Sequence, residues 1–151
     1  MKEEKQKKIR VFLIDDHPIV REGVRTYLAS RGIEVVGDAA DAPEAFLKVK
    51  RLAPEVIVLD VNLPSMVGWE VALALRRLVP KSRIIAFSIH SSEEYVLRMA
   101  RSGARGYVMK SQPTSELFDA IGQVSRGGRY FPAGMNETLP PVKKAPRKRS
   151  P

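Results

Sequence analysis

Five polar residues stand where apolar runs stop. Asp15 and Asp16 follow residues 9–14, Asp60 closes residues 56–60, Ser88 closes residues 83–88, and Lys110 follows residues 106–109. Three carboxylates drawn together repel unless a cation lies among them or one keeps its proton. An all-oxygen donor set with room for water suits Mg2+, which takes one or two carboxylates together with waters and phosphate oxygens. A hydroxyl and an ammonium on the other side can hold phosphoryl oxygens and offset their charge. Asp60, the carboxylate left facing that space, is a candidate nucleophile of the acyl-phosphate kind. Each residue taken alone also has a plainer use. The run Asp15-Asp16-His17-Pro18 suits a turn and helix cap, Asp60 a cap, Ser88 a small strand-end residue, and Lys110 a solvated loop. The five together favour phosphoryl chemistry.

Those residues need a scaffold that ends several strands at one mouth. Residues 9–14 read as a buried strand, and Pro18 opens a helix whose Ile19, Val20, Val24, Tyr27 and Leu28 recur at helical spacing before Gly32. Residues 33–36 make a short second strand. Asp41-Ala42-Pro43-Glu44 starts a helix through about residue 51, with Ala45, Phe46, Val49 and Leu52 inward. The unbroken apolar run before Asp60 is that of a strand covered on both faces. A helix over 68–78 turns Val71, Leu75 and Leu78 inward and stops before Pro80. Strand 83–88, an acidic helix start at Ser91-Ser92-Glu93-Glu94 running to Arg101, strand 106–109 and helix 114–126 complete the pattern. Five alternations of strand and helix predict an α/β fold, a doubly wound five-stranded parallel sheet with right-handed crossovers. The flavodoxin-like order 2-1-3-4-5 sets strands one and three side by side, so that their carboxyl ends share a mouth.

Composition narrows the classes. A chain of 151 residues buries a core without staples, and the absence of Cys excludes a disulfide scaffold, Cys-ligated zinc and thiol catalysis. No apolar run approaches a membrane span or a signal segment, so a cytoplasmic protein without membrane contact is expected. The net charge of +9 sits at the ends: residues 1–10 contribute +3 and residues 141–151 contribute +5, which leaves +1 for the body. The expected organisation is a charged leader over 1–8, one domain over 9–131, and a Pro-rich basic tail over 132–151. The tail suits a linker; its other reading is weak, salt-dependent contact with DNA or another polyanion.

These residues resemble the receiver domain of bacterial two-component response regulators. Asp15-Asp16, Asp60 with Pro64 and Gly68 after it, Ser88, and Tyr107-Val108-Met109-Lys110 match the family pattern in order over about residues 9–128. The run from Val11 to Gly23 and the ending Gly127-Gly128-Arg129-Tyr130-Phe131-Pro132 resemble the LuxR/NarL-type branch. The resemblance implies that Asp60 accepts a phosphoryl group from a sensor histidine kinase. It also implies that Asp16, Asp60 and the Asn62 backbone carbonyl ligate Mg2+, with Asp15 acting mostly through water, and that Ser88 and Lys110 hold the phosphoryl oxygens. Ser88 then moves toward that group while Tyr107 turns inward, reshaping the face of helix four, strand five and helix five. Asn62 and His90 occupy positions that tune dephosphorylation, and Ile89 replaces a smaller residue and is expected to crowd the phosphoryl entrance. Such regulators continue into a helix-turn-helix domain, which 20 residues after Phe131 cannot form. The chain therefore reads either as the receiver part of a transcriptional regulator or as a stand-alone receiver acting through protein partners. A phosphorylation-promoted homodimer is expected through a surface that includes helix five, with Glu116, Asp119 and Gln123 facing outward.

Two other classes compete. A Mg2+-dependent phosphohydrolase with an aspartyl nucleophile places a second Asp two residues later as general acid, where this chain has Asn62, which cannot serve as one. A receiver-like module that never turns over phosphate has no need of the complete set of five. His17 and His90 as a metal pair fit poorly beside an all-oxygen site.

Overall fold

The computed structural model describes residues 7–135 and 138–141. Residues 1–6 of the expected leader, and residues 136–137 and 142–151 of the expected tail, lie outside the described residues.

Alternation of strand and helix follows the apolar pattern. The elements are β1 (Arg10–Ile14), α1 (Pro18–Ser30), β2 (Glu34–Ala39), α2 (Ala42–Leu52), β3 (Val56–Leu59), α3 (Gly68–Leu78), β4 (Arg83–Ser88), α4 (Glu93–Arg101), β5 (Gly106–Met109) and α5 (Thr114–Ser125). The sheet is parallel with order β2-β1-β3-β4-β5. Side chains of one strand alternate between faces, and this divides the core in two. Phe12, Ile14, Ile57 and Leu59 pack with α2, α3 and α4, while Val11, Leu13, Val56 and Val58 pack with α1 and α5. Each large side chain buried this way contributes roughly 1.5–3 kcal/mol, so the central strands are the most firmly held part of the molecule.

Three details depart from the sequence pattern. First, β2 runs to Ala39 instead of stopping at Val36, because its pairing with β1 continues to Ile14 opposite Ala39 after a register shift between Val11 and Phe12. Gly37 stands at that shift, where an added Cβ would come within 2.9 Å of Leu52 Cδ1 and 3.0 Å of Phe12 Cε2. Second, α1 buries Val24 and Leu28 of the residues at helical spacing, but Ile19 is 86% exposed. Third, of the helix-five residues expected to face a partner, Glu116 accepts a hydrogen bond from the Tyr130 hydroxyl and Gln123 Nε2 donates to the Arg129 carbonyl at 2.8 Å. Asp119 and Gln123 are exposed as expected and Glu116 partly so, and Asp119 alone of the trio lacks such a contact among the described residues.

After α5 the chain returns to the sheet. Tyr130 forms a one-residue bridge beside Gly106: the Tyr107 N–H donates to the Tyr130 carbonyl at 2.8 Å, and the Tyr130 N–H donates to the Arg105 carbonyl at 3.0 Å.

Candidate functional site

Asp15, Asp60 and Lys110 each sit one step past the end of a strand, Asp16 follows Asp15, and Ser88 is the last residue of β4. Asp15 is held by its own N–H donating to the Ala39 carbonyl at 3.1 Å, and Asp60 by its N–H donating to the Ile14 carbonyl at 2.9 Å. The ladder therefore fixes the two carboxylates side by side, as the order with β1 next to β3 requires. Both are nearly fully buried. Beyond Asp60 the chain folds back sharply: Asn62 bridges to Val67, the Gly68 N–H donates to the Val61 carbonyl at 2.6 Å, and a Cβ on Gly68 would lie 2.6 Å from Val61 Cα. Only glycine allows that approach, and it lets the Asn62 N–H reach Asp60 Oδ1 at 3.0 Å.

Lys110 arrives from the far side of the mouth. Its backbone N–H donates to the Ser88 carbonyl at 2.8 Å, and its ammonium lies 2.8 Å from Asp15 Oδ2 and 3.0 Å from Asp60 Oδ2. The His17 ring closes the opposite side, with Nδ1 at 3.0 Å from Asp15 Oδ1, 3.1 Å from Asp16 Oδ1 and 3.8 Å from Asp60 Oδ2. Removal from water pushes the Asp60 carboxyl above the usual carboxylate range, with the Asp15 charge adding to it, against the opposing hydrogen bonds from Asn62 and Lys110. Desolvation works against the Lys110 ammonium, but the hydrogen bonds and charges of Asp15 and Asp60 outweigh it and raise its affinity for the proton.

A divalent cation fits this donor set. The Lys110 ammonium pairs with Asp15 and Asp60, and Asp16 has the His17 ring 3.1 Å from a buried Oδ1 that accepts no well-aligned hydrogen bond among the described residues. Ligand atoms of Asp15, Asp16, His17 and Asp60 all lie within 4.8 Å of one another. An oxygen-rich cluster with an unfilled acceptor suits Mg2+.

The remaining predicted residues fall into two groups. Ser88, fully buried, uses its Oγ to accept the His90 N–H at 3.0 Å. Tyr107 is 1% exposed, turned inward, and its hydroxyl donates to the His90 carbonyl at 2.7 Å. Burial pushes its phenol above the ordinary range, against the Ser88 hydroxyl that opposes the rise. Asn62 and His90 meet, with Asn62 Nδ2 at 2.5 Å from His90 Nε2. Ile89 by contrast is 72% exposed.

Two participants were not legible as such. His17 joins the carboxylates that precede it in the run Asp15-Asp16-His17, although oxygen-ligand chemistry gives its ring no role there. Tyr95 stacks on His90 with ring centroids 4.2 Å apart and planes 9° from parallel, and meets the Trp69 ring edge-on at 5.7 Å. Nothing in sequence spacing marks that stack.

Comparison with known proteins agrees with this geometry. Residues 11–122 match the family model described as the response regulator receiver domain. The transcriptional regulatory protein MctR of Rhizobium johnstonii is 36% identical over 133 residues, covering 87% of this chain and 62% of that protein. The nitrate/nitrite response regulator protein NarL of Escherichia coli is 34% identical over 138 residues, 91% of this chain and 62% of NarL. The chain thus spans less than two thirds of the length of these relatives. Among solved structures, a LuxR-family two-component response regulator from Aurantimonas sp. SI85-9A1 superposes with a TM-score of 0.79 at 38% identity, covering 82% of this chain and 89% of that one.

Proposed function

The chain belongs to the response regulator receiver family, and on that premise we propose that it is a Mg2+-dependent phosphorylatable switch whose acceptor is Asp60. The observation that carries this reading is the cluster of Asp15, Asp16 and Asp60 at one mouth, three carboxylates that share a single ammonium, Lys110, which pairs with Asp15 and Asp60. In the proposed reaction one Asp60 oxygen attacks the phosphorus of a sensor histidine kinase's phosphohistidine. The P–N bond breaks, and the leaving imidazole takes up a proton. Lys110 is placed to hold a phosphoryl oxygen while keeping its contact with Asp15. Asp15, Asp16, Asp60 and the Asn62 carbonyl would hold Mg2+, which supplies charge neutralisation for the incoming phosphoryl group.

Release of Ser88 Oγ from the His90 N–H frees a hydroxyl for the phosphoryl group, and the Tyr107–His90 hydrogen bond ties that loop to β5. The surface around α4, β5 and α5 is then the output, acting on transcription through a DNA-binding output domain. The alternative is a stand-alone receiver acting on protein partners. Pairing of two phosphorylated copies through a surface that includes α5 belongs to the same reading, and sedimentation with and without beryllofluoride tests it. For the described residues, no helix is long and apolar enough to cross a membrane.

The deciding experiment is incubation with acetyl phosphate and Mg2+, read by intact mass. One hydroxylamine-labile phosphoryl group is expected, and none on Asp60→Asn, because an amide forms no acyl phosphate. Unchanged labelling of that variant moves the acceptor elsewhere.

A further inference from the structure

At the amino end of the sheet, opposite the carboxylate mouth, lies a cleft of about 390 Å³ walled by Pro80, Pro140 and Pro141. Six cations line it: Arg76, Lys81, Arg83, Arg101, Arg105 and Arg129. No acid lines it, and among the described residues none of the six forms an ion pair with a carboxylate.

Part of this charge has a structural reason. Helices α3, α4 and α5 all end here, and each helix C-terminus carries about half a negative charge. Arg83 donates to the Val124 and Ser125 carbonyls at 3.3 and 2.7 Å, and Arg76 and Arg101 lie in the last turns of α3 and α4. Three helix ends offset roughly one and a half of six positive charges. Arg105 and Arg129 belong to no helix, and Arg129 donates to the Pro140 carbonyl. Desolvation, and then the charges of Arg83, Arg129 and Arg76, lower the affinity of Arg105 for its proton. Crowding of this kind lowers stability unless a counter-charge enters.

We propose that this cleft is a binding site for a compact chain of linked phosphates, as in inorganic polyphosphate or a nucleoside polyphosphate. Planar guanidiniums pair bidentately with phosphate oxygens, and the volume lies in the range of small-molecule sites. The concave wall closed by Pro140 and Pro141 favours a compact ligand over an extended one. Because the segment leading into the tail forms part of the wall, an occupied cleft holds the exit of the chain against the receiver.

Calorimetric titration of the full chain with tripolyphosphate, in low salt without Mg2+, tests the site. One saturable site is expected, with amide shifts confined to residues around Gly103, Arg105 and Arg129. Affinity should fall at least tenfold in Arg105→Gln/Arg129→Gln and largely return in Arg105→Lys/Arg129→Lys; a cooperative melt of the Gln variant shows that it is folded. ATP titrated in parallel separates the two sources: equal affinity assigns the site to the phosphate chain alone, and tighter ATP binding to a nucleotide. The proposal is overturned by shifts that map to the Asp60–Lys110 mouth, or by the absence of saturable binding. It is equally overturned by a comparable loss on replacing Lys143, Lys144, Arg147, Lys148 and Arg149 with Gln, or by duplex DNA binding more tightly across the whole face.

Discussion

The two ends of the sheet carry opposite charge problems, and they solve them differently. At the carboxyl end, Asp15 and Asp60 are buried and share a single ammonium from Lys110, each within 3.0 Å. At the amino end, six cations lie around an open cleft where, among the described residues, helix carbonyls and the Pro140 carbonyl meet them. Helix dipoles alone would place acids where helices begin and arginines where they end. Charge in excess of the dipole demand is therefore the informative quantity. The carboxyl end sets three carboxylates against one lysine, and the cleft at the amino end has six cations and no acid in its lining. Burial decides how much each imbalance matters: the carboxylates have lost their water, whereas Lys81 and Arg101 have kept theirs.

Removing a positive charge should therefore have opposite effects at the two ends. Lys110→Met takes from two buried carboxylates the ammonium they share and should cost about 3 kcal/mol or more, read by urea unfolding without metal. Mg2+ should recover part of it. A loss under half that size would mean that water reaches Asp15 and Asp60 freely.

Asp16→Ala should weaken Mg2+ binding about tenfold or more, beyond any effect of Ser88→Ala, while raising metal-free stability by relieving repulsion. A titration giving both variants the same affinity would break the division of labour drawn here. Arg105→Gln, at the other end, should raise Tm, because it removes a half-buried charge crowded by Arg83, Arg129 and Arg76. A fall would show that hidden partners already balance the cleft.

The smallest effect concerns pH. The Tyr130 hydroxyl is pushed up to about 12, by its hydrogen bond to Glu116 and then by burial. A raised folded value means that the protonated phenol favours the fold. That contribution is present below about pH 10, the ordinary tyrosine value, and is lost as pH rises from there to about 12. Tyr130→Phe should flatten the alkaline limb of stability against pH, and an unchanged limb would place Tyr130 in water.

Much of the carboxyl end was legible in the chain because strand ends announce themselves locally. Asp15, Asp16, Asp60, Ser88 and Lys110 each follow an apolar run, and parallel topology then brings distant runs to one mouth. The tail end of β2 was hidden because Gly37 and Asp38 break the apolar pattern while backbone pairing continues. Ile19 misled because spacing gives a direction around a helix but not how far the neighbouring element extends. Contacts between side chains of different elements, such as Tyr95 on His90, leave no periodic trace. Nor did the cationic cleft, whose members are scattered from Arg76 to Arg129 and gather only because helix ends and strand starts converge.

The single bridge that Tyr130 makes beside β5 has a colloidal consequence. An uncovered sheet edge is a template for strand addition by another copy, the first step toward aggregation. Through Tyr130 the β5 edge has its Tyr107 N–H and Arg105 carbonyl already satisfied. Among the described residues β2 pairs with β1 alone, so its outer edge is the side on which concentrated protein can grow, and there the ion pair of Asp38 with Arg25, with Arg21 Nε 3.6 Å away, sets charged side chains beside the strand. Shelf life at high concentration should thus depend on Asp38 more than on any residue of β5.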